Sequence, residues 1–535
     1  MLLRNRIILS LVVPVLAFLV GCGSSTNHPV PPPTGGFSNS NLNGTYVFSS
    51  SGIDENNGFV AMVGSFTANG SGGITGGNID VNAFDFGGSS GPITGGSYSV
   101  SADGRGKVSL TSSTSVDNVT TLDFVLTSSS HGLVSFYDSD GSGVGNGSGT
   151  LDLQASVSQS QLANNKYVFN LVGVGGAGGP LATVGSVTLD SAGNATGTQD
   201  LNNSGTFSST AVGSPSNITI GSVPGTATIG SFVFDVYPID ATHMKFIEAD
   251  ANGIMAGDVF SQTSSTFPSG QIAFTLAGVD NAGPVPMALG GLMTSDGTST
   301  ISTGVEDFND GGIIDGSGTT LTPQGFTGGF ATSGSRFSLT LNNFINGQNV
   351  IAGTFQFVAY PSTGGIQLLE SDGGGVTGGV AYAQSNTNFA SGQGYGLNLT
   401  SSNSGGFEED DIAEFTNTNN SFTGLIDQID QGSVSSPQKF TASYNADATN
   451  AGRAVITANF FTLASYTVDA NTTIFIEVDD GSLGLLQLGL GSMGLQSASS
   501  QNVMAARLAS VKAVAKVMPL KPKMPAHMKA WKKLK

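Results

Sequence analysis

Tyr46-Val47-Phe48, Tyr167-Val168-Phe169, Ile272-Ala273-Phe274 and Tyr395-Gly396-Leu397 open four stretches of one repeating pattern. Gly-x-x-Asp follows each opening, at Gly77 to Asp80, Gly197 to Asp200, Gly304 to Asp307 and Gly424 to Asp427. The step from the opening residue to that aspartate is 34, 33, 35 and 32 residues, too regular for a biased composition to produce by accident. Two further anchors keep the same order. An aromatic strand position stands at Tyr98, Phe207, Phe330 and Tyr444, and an acid-x-acid pair enters a turn at Asp138/Asp140, Glu248/Asp250, Glu370/Asp372 and Glu477/Asp479. The chain therefore reads as four homologous units, at residues 41–154, 161–264, 268–385 and 388–498.

In the first unit, period-2 alternation and turn residues place eight strands, starting near Tyr46, Val60, Ile74, Ile93, Gly106, Thr121, Leu133 and Gly147. Turns such as Ala68-Asn69-Gly70 and Ala102-Asp103-Gly104 join neighbours as hairpins. The fold class is all-β: four tandem antiparallel eight-stranded meanders, each expected to close into a barrel because closure removes exposed sheet edges. An immunoglobulin-like β-sandwich is the alternative, since strand counting does not separate closure from face-to-face packing. Alternation puts Tyr46/Phe48, Leu122/Phe124/Leu126 and Phe232/Phe234 each on a single face. Side chains of that size predict a filled interior rather than a ligand cavity.

Composition agrees. The 78 glycines among 535 residues disfavour long helices in the body, while 32 phenylalanines and 10 tyrosines supply apolar area for several cores. With one cysteine, Cys22, no internal disulfide forms, so folding rests on burial and sheet hydrogen bonding.

Cys22 ends the run Leu19-Val20-Gly21-Cys22, behind Arg4, Arg6 and an apolar stretch from Ile7 to Val20 that is short for a membrane span. These residues resemble the lipobox of bacterial lipoproteins. The resemblance covers the first 25 or so residues and implies removal of a signal peptide at 1–21 and acylation of Cys22. Each buried methylene of such an anchor adds about 0.8 kcal/mol. Gly23 stands where many inner-membrane lipoproteins have aspartate, so the resemblance implies the outer membrane or cell surface if the cell is Gram-negative. Residues 22–40, rich in Pro, Gly and Ser, read as an extended tether.

Charge divides the chain. Residues 501–535 hold nine of the 18 basic residues and no acidic ones, whereas the body before them has seven basic residues against 37 acidic ones, a net charge of about −30. Such a body repels nucleic acid and anionic membrane. In the basic tail, 499–535, a helix-permissive stretch from Asn502 to Met518 carries Lys512 and Lys516 beside an apolar face. Lys521, Lys523, Lys529, Lys532, Lys533 and Lys535 follow around Trp531, the only tryptophan, and suit contact with an anionic surface.

Most chemical motifs fail on context. Gly173-Val174-Gly175-Gly176-Ala177-Gly178 fits the dinucleotide-binding pattern, but Leu181 to Leu189 continues as a strand where the pattern needs a helix, so no cofactor is expected. Gly87-Gly88-Ser89-Ser90-Gly91 has the spacing of a nucleophile elbow and reads as a loop. His131 and His243, the only histidines of the repetitive body, read as hairpin residues. The eight acidic positions of the acid-x-acid turns are the candidate calcium ligands, against a plain role in turns. The distance from the Gly-x-x-Asp aspartate to the aromatic anchor varies as 18, 7, 23 and 17 residues, which marks the connection after strand three as the candidate recognition loop.

The sequence thus predicts a lipid-anchored cell-envelope protein, a non-catalytic binding or structural repeat module whose partners are the membrane and envelope or extracellular polysaccharide or protein, with no nucleic acid. A carrier of small apolar ligands is the alternative, and a secreted hydrolase a third reading.

Overall fold

A computed structural model describes residues 36–497 except 55, 57, 86, 115–118, 139–144, 281–285, 318–319, 347–351, 404–407, 431, 436, 460 and 480–486. The first unit is a closed barrel of the strands Asn43–Ile53, Phe59–Asn69, Gly73–Ala83, Gly87–Val100, Arg105–Ser112, Val119–Ser128, His131–Asp138 and Asn146–Leu153. Each pairs antiparallel with the next, and the last returns to the first with Tyr46 opposite Leu153. Barrel, not sandwich, is the outcome.

The other three units close in the same way. In the second, strand four is split: Thr206–Val212 pairs with Ala195–Asn203, while Asn217–Thr219 pairs with Gly225–Ile229 and reaches back through a bridge from Asn217 to Asn194. In the third, Pro286–Asp296 pairs with Thr300–Asp310 and Ser269–Asp280 with Gly375–Ala383. In the fourth, Gln393–Asn403 pairs with Gln487–Leu495 to complete the ring.

Each barrel buries its own core, and Tyr46, Phe48, Leu122, Phe124, Leu126, Phe232 and Phe234 all point inward as alternation required. One end of each barrel is stopped by an apolar residue from the segment before it: Phe37, Leu162, Phe267 and Phe389. We call this the linker end and the opposite end the loop end.

A further apolar cluster lies between the barrels. It joins Val47, Ala61 and Val63 of the first to outward-facing residues of the other three, such as Val172, Ala277 and Ile476. Burial of both strand faces explains why Val60-Ala61-Met62-Val63 is apolar throughout: Val60 and Met62 face inward, Ala61 and Val63 outward.

The barrels form a ring, each holding the next through the same strands. The Gly-x-x-Asp aspartate accepts from the following barrel: Asp80 from the Tyr237 hydroxyl at 2.6 Å, Asp200 from Tyr360 and Arg336, Asp307 from Tyr466 and Arg453, and Asp427 from Arg105 at 2.7 Å, which returns to the first barrel. Register puts Val125 of the first barrel level with the three tyrosines and Pro224 of the second level with the three arginines. Both sequences thus keep one of the two donors.

A glutamine after strand eight repeats the arrangement at the linker end. Gln154 donates to the Pro238 carbonyl at 2.6 Å, Gln262 to Pro361 at 2.8 Å, Gln384 to Thr467 at 2.5 Å, and Gln496 to Leu126 at 3.1 Å, the last again closing onto barrel one. At the loop end Asn82, Asn202 and Asn309 donate to the backbone carbonyls of Glu248, Glu370 and Glu477. Because loop ends touch loop ends and linker ends touch linker ends, the four loop ends share one face of the ring.

Register also corrects two anchors. Phe207 faces outward against the inter-barrel cluster, and the inward position level with Tyr98, Phe330 and Tyr444 is Ile218, so the 7-residue spacing measured a mismatched anchor. In unit one, Phe136 rather than Asp138 is level with Glu248, Glu370 and Glu477, because each stands opposite the same strand-six position.

Candidate functional site

The loop end of the second barrel is an open hollow of about 400 Å³. Four turns enclose it: residues 176–179, Ser204-Gly205, Gly230-Ser231 and 249–252. The buried side chains of Leu181 and Phe232 lie in its lining, and Asn203, Ser204, Ser231 and Asn252 present exposed amides and hydroxyls around them. None of the lining residues ionises.

Glycine makes the space. Gly175, Gly176 and Gly179 line the hollow without side chains, and a Cβ on Gly179 would run into the Ser204 hydroxyl. Gly178, at φ +83°, takes a left-handed conformation that glycine adopts without strain, and a Cβ there would come within 3.0 Å of the Phe84 ring. Phe84 belongs to the first barrel and is 43% exposed, so an aromatic side chain of one barrel leans on the lip of the next. The lip is the segment that fits the dinucleotide pattern. It is a hairpin between Lys166–Gly175 and Pro180–Leu189, with no helix to receive a pyrophosphate.

Asp250 holds the mouth in shape by accepting the backbone N–H groups of Val233 at 2.6 Å and Asn252 at 2.7 Å. Asp372 does the same in the third barrel for Gln356 at 2.7 Å and Gly374 at 2.9 Å. The partnering glutamates point into the barrels. Burial pushes Glu248 up to about 8, with Asp250 adding to it, and raises Glu370 and Glu477 well above the usual carboxylate range. A carboxyl raised as far as that of Glu248 keeps its proton at neutral pH and presents no charge to a cation there.

The fourth pair departs from the expected calcium turn in a further way. Asp479, just past the end of strand Thr472–Val478, is buried with 2% of its surface exposed, and so is Glu477 beside it. The Asp479 side chain is thus covered by protein rather than exposed. After burial, Asp411 and Glu409, its charge is one more cause of the rise in Glu477. Among the described residues, Glu248, Asp250, Glu370, Asp372, Glu477 and Asp479 included, no group of three or more His, Cys, Asp or Glu is arranged to hold a metal ion. Asp140 and the Asp138 side chain, like Cys22 and Lys512, Lys516, Lys521, Lys523, Lys529, Lys532, Lys533 and Lys535, lie outside the described residues.

The two histidines are not turn residues. They open strands His131–Asp138 and His243–Glu248 and are buried in a charged network where barrels one and two meet. His131 Nδ1 lies 2.8 Å from Asp152, His243 Nε2 lies 2.6 Å from Asp258, and the fully buried Lys245 ammonium reaches Asp258 at 3.1 Å, Thr150 at 2.8 Å and Asp152 at 3.7 Å. Burial alone would raise Asp258, but Lys245 and His243 outweigh it and pull the carboxyl down to about 2. The network joins the two barrels.

The Gly87–Gly91 stretch is not a loop either. It is the first half of strand four, paired with strand three from Gly87 opposite Ala83 to Gly91 opposite Ile79. Of the hollow's polar residues, none stood out in sequence, although Asn202-Asn203-Ser204-Gly205 has the composition of a tight turn. The long connection after strand three in the third unit turns sideways: Leu321 enters the inter-barrel cluster and Asp315 sits against Asp307. No protein-family model matches this chain, and no curated protein matches it.

Proposed function

We propose that this protein is a lipid-anchored, non-catalytic binding module of the cell envelope that turns its hairpin-loop face away from the membrane and meets polymeric envelope or extracellular partners there. The supporting observation is the polarity of the ring. The Phe37 N–H donates to the Ala102 carbonyl at 3.1 Å and the Ser497 N–H to the Thr127 carbonyl at 2.7 Å, so the segments leading to Cys22 and to the basic tail both leave from the linker end of barrel one. Gly104 stands between them, with Phe37 and Gln496 both in reach of its missing side chain. On the opposite face stand Phe84, Val233 and Ile313, three of the four large apolar side chains that are more than a third exposed among the described residues.

A lipid on Cys22 and nine basic residues on 501–535 are two membrane signals of the kind that together give lasting attachment. Filled interiors argue against a carrier of apolar ligands: the void recorded inside the third barrel is about 10 Å³, at the lower limit for one water.

The test is fractionation of cells making the full chain, with Cys22→Ser and a chain ending at Ser497 in parallel. Membrane association lost in Cys22→Ser, and weakened at high salt only when the tail is present, is the expected result. Soluble wild-type protein overturns the reading.

A further inference from the structure

We infer that the hollow at the mouth of the second barrel is a binding site for a neutral saccharide chain. This deepens the envelope-module reading and rests on it only for which polymer is met in the cell.

The chemistry of the lining selects the class. Asn203, Ser204, Ser231 and Asn252 offer amide and hydroxyl groups that both donate and accept, the pattern that matches sugar hydroxyls. Among the described residues neither the Asn203 amide nitrogen nor the Ser231 hydroxyl has a hydrogen-bond partner, which leaves both to face a ligand, while the Asn252 amide is steadied by its bond to the Ser231 carbonyl at 3.0 Å. Phe232 supplies an apolar wall, and Phe84 an exposed ring at the rim. The face of a pyranose ring carries C–H groups that rest on such rings, while its edge carries hydroxyls.

Competing ligands fit less well. A phosphate or other anion finds no cation in the lining and meets a body of net charge about −30. An extended peptide adds itself to an open sheet edge, and the one in this barrel, along Thr206–Val212, which pairs only with Ala195–Asn203, contributes no residue to the lining of the hollow. At about 400 Å³ the hollow is in the lower part of the range for small-ligand pockets, suited to a short stretch of a glycan rather than to a bulky cofactor. Its open mouth leaves room for the rest of the polymer to continue along the loop face.

The test is affinity electrophoresis of the soluble protein, residues 23–535, in native gels containing soluble neutral polysaccharides: a glucan, a galactan, a mannan and a xylan, with an anionic alginate gel as comparison. At least twofold retardation in one neutral gel, abolished by Phe84→Ala and by Asn203→Ala at unchanged thermal midpoint, is expected. Phe84 and Asn203 are solvent-exposed, so neither change should compromise the fold. No retardation in any neutral gel, retardation only in alginate, or retardation indifferent to both substitutions overturns the site. Because the protein tested carries no lipid, failure here leaves membrane attachment to be judged by the fractionation experiment alone.

Discussion

Arg453 illustrates how few cations hold this acidic molecule together. Of seven basic residues in the body, Arg105, Lys245, Arg336 and Arg453 sit between barrels. Arg453 is 3% exposed and bridges Asp307 of its neighbour and Asp447 of its own barrel. Arg453→Met should cost about 3–5 kcal/mol in urea unfolding, because it removes one partner of a buried ion pair and leaves Asp307 without its cation. Adding Asp307→Asn should return much of that loss, whereas a simple packing defect would not be relieved. The raised carboxyls give a second prediction. Between its ordinary value of 4.5 and about 8, Glu248 holds a proton in the folded state that the unfolded chain has lost, so its favourable contribution is complete at low pH and fades as pH rises through 8. Glu414, pushed up to about 7 by burial and then by Asp103, acts in the same direction. Asp258 acts oppositely: its carboxyl lies below the ordinary 3.8, so it stabilises above that value and is lost as pH falls toward 2. The thermal midpoint should therefore peak near pH 4 to 5 and decline toward pH 8.5, less steeply in Glu248→Gln. A midpoint that rises over that interval contradicts the assignment.

At the scale of the strand, the glycine of Gly-x-x-Asp has a steric cause. A Cβ on Gly77, Gly197 or Gly424 would strike the carbonyl oxygen of Ser65, Ser186 or Glu414 on strand two, and one on Gly304 would strike the Phe326 ring. Strands two and three approach closely there, which sets the aspartate three residues on against the next barrel. Gly197→Val should cost about 1–3 kcal/mol through overpacking. Gly213→Ala, where a Cβ meets nothing within 4 Å, should leave the unfolding midpoint where it was. Alternation made eight strands legible because one face of each is buried regardless of what lies outside. It failed for Gly87–Gly91, where glycine and serine carry no strand preference and pairing with Gly73–Ala83 decides. It also misplaced Phe207, because a ring of barrels offers apolar surroundings outside as well as inside. The uninterrupted apolar run at Val60 to Val63 and the recurring Gln154, Gln262, Gln384 and Gln496 were the available signs of that second core. The acid-x-acid spacing at Glu477 and Asp479 was legible as a repeat but not as a role, since spacing does not report that both side chains are buried. The hollow left no such sign, since its residues come from four separate turns and are of types common in any turn.

For the whole molecule, a shared cluster that touches all four barrels predicts one unfolding transition rather than four. Calorimetry of residues 36–497 should give a single endotherm, and Gln496→Ala should lower it while keeping it single. Four resolvable steps would mean that the barrels are beads on a string. Closure of the ring carries one more implication. The contacts Gln496 and Ser497 make on barrel one match those Gln154, Gln384 and their following residues make on the next barrel, so the break in the backbone falls at a joint like the other three. Geometry alone does not dictate which unit comes first. A circularly permuted chain, with residues 36 and 497 joined by a short linker and new termini cut between Ser385 and Gln393, should assemble the same four-membered ring.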